Sequence, residues 1–340
     1  MSHASWHALH TLPPAAGHYG RDQAVLNWAD QGLLLAGFAR SRGLAQADWL
    51  AASRLPLQPG MALSCADLLA LLVPLLQLGR DAPFVLGQLW LPGHYGLASQ
   101  ALQACASVQQ AADCLGRHAG RLLPLLTPRP LMLDGRLWLL FTEACGLPAA
   151  LRPALVDLHL SAFSSYCNWR AGRRLPWQAH FNRTAPRELG MHAASLTPDL
   201  HFDCVVDALS LPLELAQQPW RADERCNTLA APLLAEGADP QALRRGWLAG
   251  VHEAMLAQLE AGSASQEDLA RQMGVSLATL KRQFAQHGSH WQAELDTLRW
   301  RLATALLREP GWNAARVSGV LGFVDPSNFR RSLRRWAGQL

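Results

Sequence analysis

The fold of this chain is decided by the stretch SQEDLARQMGVSLATLKRQFAQHG, residues 265–288. Leu269 and Met273 recur at helical spacing and predict a short first helix. Gly274 is suited to end that helix, and Ser276 is a good N-cap for a second one. A short helix, a tight glycine turn and a second helix with a basic outer face are typical of a helix-turn-helix unit.

The second helix of this unit is predicted over about residues 276–286, with Leu277, Leu280 and Phe284 on its buried face. The opposite, outer face then carries small, polar and basic side chains. These are Ala278, Thr279, Lys281, Arg282 and Gln283.

The same arrangement recurs in AARVSGVLGFVDPSNFRRSLRRWAG, residues 314–338. Gly322 supplies the break, Asp325 is a suitable N-cap, and Pro326 takes the first helical position, where its missing N–H group is tolerated. A second outer helix is therefore predicted over about residues 325–336. Its polar side chains are Ser327, Asn328, Arg330, Arg331, Arg334 and Arg335.

Between the two units, HWQAELDTLRWRLATALLRE places leucines at spacings of three and four residues and predicts an amphipathic helix. A helix of about 19 residues is roughly 28 Å long. Such a strut can hold two recognition helices about one turn of B-DNA apart, roughly 34 Å, on one face of the duplex.

Three blocks, GVSLATLKRQF, GSHWQAELDTLRWRLA and LGFVDPSNFRRSLRRWAG, resemble AraC/XylS-type transcription regulators in their order and spacing. The resemblance implies DNA binding by two helix-turn-helix units, with base-reading positions at Ala278, Lys281 and Arg282 and at Ser327, Asn328 and Arg331. Arg334 and Arg335 lie a turn further along, where phosphate is nearer. Leu333 replaces the family's usual Phe, His290-Trp291 starts the linker helix with more bulk, and the sequence stops before the family's Ser-Pro…Tyr-Arg tail.

Charge is distributed unevenly along the chain. Residues 263–340 contain eleven Lys and Arg against six Asp and Glu, whereas the rest contains nineteen against twenty. The basic excess therefore lies on the segment predicted to bind DNA, where release of counterions favours binding. At 340 residues the chain is long enough for two domains, and half of its residues are apolar, which indicates a globular protein.

The first half mixes helices and short strands without a βαβ rhythm, which predicts an α+β domain. Helices are predicted within 23–54, over 64–79, 107–122 and 148–172, near 186–194 and, at the start of the DNA-binding module, over 241–261. Strands are predicted within 122–141 around an Asp134-Gly135 hairpin turn, over 177–182 and over 200–209; residues 1–20 are expected to be a loose leader and 84–103 a loop.

Segments such as GHYGLASQALQACASVQQAADCLGRH and HFDCVVDALSLPLELAQQP are similar to the arabinose-binding-like N-terminal domain of one AraC-type subfamily. The resemblance implies an effector domain that responds to a small molecule, such as a fatty acid or an amino-acid derivative, and that dimerises. We expect an effector-binding and dimerisation domain over 1–226, a linker over 227–240 and an AraC-type DNA-binding domain over 241–340. The Leu, Trp and Phe richness of the first half predicts an apolar or amphipathic effector.

His159 and Tyr166 share one face of the predicted 148–172 helix and are the candidate effector-binding residues, although a satisfied core histidine is the simpler interpretation of His159. No nucleotide-binding, serine-hydrolase or HExxH motif occurs, so we expect no catalytic residues, cofactor or metal. His287 and His290 are interpreted as capping or solvent-exposed residues.

Seven cysteines without a CxxC pair favour a reducing cytoplasm and buried thiols, with thiol sensing as the alternative. The first residues lack the basic and apolar regions of a signal peptide, and Asp67, Pro74 and Gln77 argue against a membrane span over 61–79.

The sequence thus predicts a cytoplasmic, ligand-responsive transcription regulator that acts as a homodimer on double-stranded DNA, with RNA polymerase as a further candidate partner. A regulator controlled by oligomerisation or by a protein partner, without a small molecule, is the alternative. An enzyme with an appended DNA-binding module is the remaining class.

Overall fold

The computed structural model describes most of the chain as two compact units, which divide between Gly246 and Trp247. The described residues are 17–55, 61–220, 244–307, 311–323 and 325–337. The predicted linker over 227–240 lies outside these residues. Among the described helices, none is long and apolar enough to cross a membrane.

The first unit combines helices with a sheet. Its helices are α1 (Trp28–Ser41), α2 (Gln46–Ser53), α3 (Cys65–Leu76), α4 (Ala82–Trp90), α5 (Leu97–Ala104), α6 (Val108–Arg117), α7 (Ala119–Leu122), α8 (Arg152–Ala171), α9 (Gly190–Ser195) and α10 (Leu213–Gln217). Its strands are β1 (His18–Tyr19), β2 (Leu26–Asn27), β3 (Ala62–Leu63), β4 (Leu126–Leu133), β5 (Arg136–Glu143), β6 (Gln178–His180), β7 (Asp199–His201), β8 (Asp207–Pro212) and β9 (Arg245–Gly246).

The main sheet has the strand order β4-β5-β8-β6-β7, in which only β6 and β7 are parallel. The β4–β5 hairpin turns at Asp134 and Gly135, whose φ values are 50° and 68°. Two consecutive residues with positive φ match the turn type whose twist suits a two-residue hairpin. The predicted hairpin is confirmed, and the mixed, largely antiparallel sheet makes this unit α+β.

Helix α8 is the central helix of the unit. Most of its side chains are buried, and it ends at Gly172, which has φ 65° and takes the left-handed conformation that glycine favours. Helix α4 packs closely against α8 at Gly87, where an added Cβ atom would lie 2.4 Å from the Leu158 carbonyl oxygen and 2.7 Å from Ser161 Cβ. Glycine at this position therefore permits the two helices to approach.

Helix α3 lies within the strongly apolar segment at 61–79. Ser64 caps it, because its hydroxyl accepts from the Asp67 N–H while the Asp67 carboxylate accepts from the Ser64 N–H. Pro74 lies in the last turn, and the helix ends two residues later at Leu76. The helix predicted over 64–79 is confirmed, and it ends at Leu76.

Four predicted boundaries in this unit are wrong. Residues 84–103 contain most of α4 and all but the last residue of α5, and the loop is confined to 91–96, because Gly87 serves helix packing rather than a turn. Helix α1 begins only at Trp28, because residues 26–27 pair with β3 as a strand. The segment 200–209 is divided between β7 and β8. Tyr19 is not part of a loose leader, since its buried hydroxyl donates to the Pro124 carbonyl oxygen at 2.8 Å.

The start of the last third also differs from the prediction. Residues 244–246 are not helical, because Arg245 and Gly246 pair in parallel with His18 and Tyr19. The first helix of the second unit begins at Trp247 instead of residue 241. The chain is therefore held by a strand pair immediately before the second unit begins.

The second unit is helical throughout its described residues. Its helices are α11 (Trp247–Glu260), α12 (Gln266–Gln272), α13 (Leu277–Gln286), α14 (Trp291–Leu307), α15 (Ala314–Val320) and α16 (Pro326–Ala337). The two short pairs, α12–α13 and α15–α16, are the predicted helix-turn-helix units, and α14 is the predicted linker helix. One apolar core joins side chains from all six helices. The α+β unit followed by an all-helical unit with two such motifs confirms the predicted fold class.

We predict that Gly87→Ala destabilises the first unit by roughly 1–3 kcal/mol, because its methyl group would overlap the α8 backbone. Gly37→Ala is the matched control, since it also replaces a helical glycine but its methyl group would meet no atom within 4 Å. That control should stabilise the protein by up to roughly 1 kcal/mol through helix propensity. Urea unfolding followed by circular dichroism measures both, and equal effects would contradict the close contact.

Candidate nucleic-acid interface

The turn of the first unit is built by local hydrogen bonds. Gly274 has φ 65°, and the Val275 N–H donates to the Ala270 carbonyl oxygen at 2.9 Å. Ser276 then caps α13, because its hydroxyl accepts from the Thr279 N–H at 3.2 Å. The glycine break and the serine cap predicted from the sequence are thus both present.

Helix α13 buries Leu280 and Phe284 and directs its basic side chains outward. Ala278, Lys281 and Arg282 are exposed, whereas Thr279 is half-buried. The predicted burial of Leu277 is wrong, since this side chain is 36% exposed at the first position of the helix. Its place in the first turn, before α13 meets the core, accounts for the difference.

The second unit repeats this geometry. Gly322 has φ 72°, and the Phe323 N–H donates to the Ser318 carbonyl oxygen at 3.0 Å. The Asp325 carboxylate accepts from the Ser327 N–H at 2.8 Å, so Asp325 caps α16 as predicted. Pro326 is the first residue of the helix.

Helix α16 has a buried stripe and a basic outer face. Phe329 and Trp336 are buried and Leu333 is half-buried, while the predicted DNA-facing side chains are all exposed. These are Ser327, Asn328, Arg330, Arg331, Arg334 and Arg335.

One of the α16 arginines already has an anionic partner within the protein. The Arg335 guanidinium lies 2.7 Å from an Asp296 carboxylate oxygen on α14, whose other oxygen accepts from the Gln292 amide. Asp296 was not singled out from the sequence, because a contact between residues 39 positions apart leaves no local signal. The carboxylate both orients Arg335 and offsets its charge.

A second contact attaches α14 to the turn of the second unit. Arg299 Nε donates to the Leu321 carbonyl oxygen at 3.1 Å, at the end of α15, and the guanidinium lies 4.8 Å from the centre of the Phe323 ring. A cation at a helix C-terminus is favoured by the helix dipole and by an otherwise unpaired carbonyl. Arg299 thereby fixes the turn from which α16 begins.

A buried polar contact attaches α14 to α11. His252 Nε2 lies 2.6 Å from the Glu294 carboxylate, which also accepts from the Ser289 hydroxyl. Burial alone raises the pKa of Glu294. The contacts with His252 and Ser289 and the charge of Arg301 outweigh burial, and the net effect lowers this pKa to about 2. Glu294 is therefore ionised in the folded protein at any ordinary pH.

His287 and His290 differ in their surroundings. His290 is exposed, and its Nδ1 accepts from the Ala293 N–H at 3.2 Å, so this residue caps α14 as predicted. His287 follows α13 as its C-cap, but it is buried and stacks on Trp247 with ring centres 4.7 Å apart. Of the two interpretations of His287, capping is therefore confirmed and solvent exposure is wrong.

The two candidate effector residues are both buried in the first unit. His159 is fully buried, its Nδ1 lies 2.7 Å from the Leu155 carbonyl oxygen, and burial lowers its pKa to about 4. The Tyr166 hydroxyl donates to the Leu102 carbonyl oxygen at 2.6 Å. An effector role for either residue remains a prediction.

Neither the thiols nor the histidines of the described residues form a metal site. Within those residues, no group of three or more His, Cys, Asp and Glu side chains is arranged to hold a metal ion. Cys65, Cys105, Cys114, Cys145 and Cys167 are buried free thiols, and Cys204 is half-buried. Cys226 lies outside the described residues.

Two helix-turn-helix units joined by one helix, each with an exposed basic face, define a DNA-binding regulator. The chain belongs to the AraC family of transcription regulators, because residues 43–220 match the family model for the arabinose-binding domain of AraC transcription regulators. Residues 269–340 match a helix-turn-helix domain model. It is thus an AraC-type regulator with an N-terminal ligand-binding domain and a helix-turn-helix DNA-binding domain.

Relatives in Pseudomonas aeruginosa are also regulators. The ornithine utilization regulator is 28% identical over 75% of this chain and 76% of its own length. The HTH-type transcriptional regulator VqsM is 31% identical over 21% of this chain and 22% of its own length. The crystal structure of the transcriptional regulator CdpR aligns over 91% of this chain and 95% of that chain, with 20% identity and a TM-score of 0.44.

We predict that Asp296→Asn strengthens binding to every DNA sequence, because it releases Arg335 and removes a negative charge near α16. The slope of log K against log salt should become steeper by about one phosphate contact. Binding isotherms at several salt concentrations measure this. Glu267→Gln, which removes a carboxylate from the first turn of α12, is the control. A salt slope that Asp296→Asn leaves unchanged would show that Arg335 does not reach phosphate.

Proposed function

We propose that α13 and α16 enter the major groove of duplex DNA at two sites on one face of the helix. The observation that supports this proposal most directly is charge: neither helix contains a carboxylate, while together they carry Lys281 and five arginines. Within the described residues, only Arg335 of these six forms an ion pair. A cluster of exposed cations without internal partners favours a polyanion, and phosphate contacts supply much of the affinity of DNA-binding proteins.

The side chains divide by their position along each helix. Ala278, Lys281 and Arg282 project from α13 at spacings of three and four residues and are proposed to read bases. Ser327, Asn328 and Arg331 near the start of α16 are proposed to do the same. The duplex is also contacted, next to the base-reading residues, by Thr279, Arg330, Arg334 and Arg335. Arg334 and Arg335 hold phosphates, because they lie a turn further from the N-terminus of α16 than the base-reading residues do.

The first unit is proposed to hold the effector. We assign effector binding and dimerisation to residues 1–226, connection to 227–240 and DNA binding to 241–340. The effector is apolar or amphipathic, in keeping with the Leu-, Trp- and Phe-rich composition. One relative is named for ornithine utilisation, so amino acids belong among the candidates alongside fatty acids.

Regulation follows from a shift between two arrangements of a homodimer. An effector that binds one arrangement more tightly increases its population and thereby changes how the recognition helices meet their sites. The protein then acts in the cytoplasm, where the DNA is, with RNA polymerase as the partner that reads out the change. A regulator that responds only to oligomerisation or to a protein partner is the second candidate. We assign no enzymatic activity, since no motif in the sequence groups catalytic residues.

We predict that Arg282→Ala weakens binding to the preferred site by roughly 1–3 kcal/mol and relaxes the preference at one base pair, because it removes a base contact. Arg334→Ala should weaken binding to all sequences similarly and reduce the salt slope by about one. The site is obtained by selecting duplexes from a random library with the full chain. Isotherms on that site and on a scrambled duplex measure both effects.

Arg80→Ala is the control, since it removes an exposed arginine from the first unit. It should leave both isotherms unchanged. If Arg282→Ala weakens binding to the two duplexes equally while Arg334→Ala changes sequence preference, the two residues have been assigned the wrong roles.

We also predict that residues 241–340 alone bind DNA more weakly than the full chain on a probe with two sites, because the first unit supplies the dimer contacts. Fluorescence anisotropy gives the two affinities, and sedimentation velocity gives the mass of each protein. On a probe with one site, residues 241–340 and the full chain should bind with the same affinity. Equal affinities on the two-site probe would contradict dimerisation through the first unit.

A further inference from the structure

A cleft lies at the C-terminal end of α8, on the first unit, and has a cavity volume of about 270 Å³. This is close to the lower end of the range for small-molecule sites, roughly 300–1,000 Å³. Residues at the end of α8 form one wall, and residues at the end of α10 form the other. The side chains that matter here are Trp169, Arg170, Arg173, Leu215, Gln218 and Trp220.

The cleft is positively charged. Its lining includes two arginines and no Asp or Glu. Neither Arg170 nor Arg173 forms an ion pair with any residue that the structure describes. An arginine near the C-terminus of a helix is stabilised by the helix dipole, which accounts for Arg170 in the last turn of α8 but not for Arg173 beyond it.

Arg170 is held in place before any ligand arrives. Its guanidinium donates to the Gln103 and Cys105 carbonyl oxygens and lies 4.9 Å from the centre of the Trp220 ring. Arg173, in contrast, is exposed and donates to the Gln218 side-chain oxygen at 2.9 Å. The neutral amide leaves the charge of Arg173 available to an anion, for which the guanidinium has the donor geometry.

The apolar part of the cleft is formed by two tryptophans. Trp169 is 65% exposed, an unusual state for so large an apolar side chain. Both tryptophan rings pack on Tyr166, with ring centres 6.0 Å and 6.1 Å away, so Tyr166 supports the cleft from behind. A ligand with an apolar body would cover part of the Trp169 surface.

We propose that this cleft binds a small organic carboxylate. The carboxylate group lies on Arg173 and beside Arg170. The aliphatic or aromatic body of the ligand packs against Trp169 and Trp220. The inference rests on the proposed function, in which the first unit holds an effector, and it names the site and the chemical class. The limited volume indicates a metabolite-sized acid. Tyr166 then acts as a positioning residue for the two tryptophans and does not touch the ligand.

The backbone of the second tryptophan is also held by the first unit. The Trp220 backbone N–H donates to the Ala106 carbonyl oxygen at 2.7 Å, so this wall of the cleft is in place before a ligand binds.

The test is isothermal titration calorimetry of the full chain, without DNA, against matched pairs of probes. The pairs are 3-phenylpropanoate with 3-phenylpropanamide, and hexanoate with hexanamide. We expect at least one acid to bind, and its amide to bind about tenfold more weakly or worse, because the amide loses the charge-assisted contact. Arg173→Gln and Trp169→Ala, both exposed substitutions that leave the core intact, should each raise Kd for that acid about tenfold.

Arg174→Gln is the control, since it removes a neighbouring exposed arginine that does not line the cleft. It should leave Kd within about twofold of the original value. The proposal is overturned if no acid binds at millimolar concentration, if acids and amides bind equally, or if the Arg173 and Trp169 variants bind as the unmodified chain does. DNA binding by the same preparation is measured separately, so failure of the cleft and failure of the regulator function give different results.

Discussion

The DNA-binding unit depends on burial of the apolar stripe of α14. A pair of short helices cannot enclose a core of its own, so each helix-turn-helix unit needs a third surface on which to bury its inner face. Leu295, Leu298, Leu302 and Leu306 supply that surface to both units at once. Polar contacts at Glu294, Asp296 and Arg299 then fix how the helices around it are oriented. The relative placement of the two recognition helices therefore follows from one helix and its contacts.

Charge within this unit is arranged in two ways. Glu294 is buried among its partners His252, Ser289 and Arg301, so it contributes to the fold and not to the field at the surface. The cations of α13 and α16 are exposed, and within the described residues only Arg335 has a carboxylate partner. Exposed pairs contribute little to stability, roughly 0–1 kcal/mol. The absence of carboxylate partners for these cations therefore costs little folding free energy, and it leaves their positive charge available to attract DNA.

The sequence predicted those elements best whose signals are local. Gly274, Ser276, Gly322 and Asp325 marked the turns and caps of both units correctly because their backbone chemistry acts over three or four residues. Prediction failed at 84–103, because a glycine that permits close packing between α4 and α8 looks the same in a sequence as one that ends a helix. Contacts between distant segments, such as Asp296 with Arg335 or Arg173 with Gln218, leave no periodic signal. The cleft was missed for the same reason.

The parallel pairing of Arg245 and Gly246 with His18 and Tyr19 has a consequence for exchange of domains between regulators. A junction placed anywhere within 227–240 would transfer the strand Arg245–Gly246 together with the DNA-binding unit. In the resulting hybrid, the first unit of one parent would have to pair its β1 with a strand from the other parent. A junction between Gly246 and Trp247 keeps the pair within one parent. Hybrid regulators that combine a new sensor with these recognition helices should therefore be joined there.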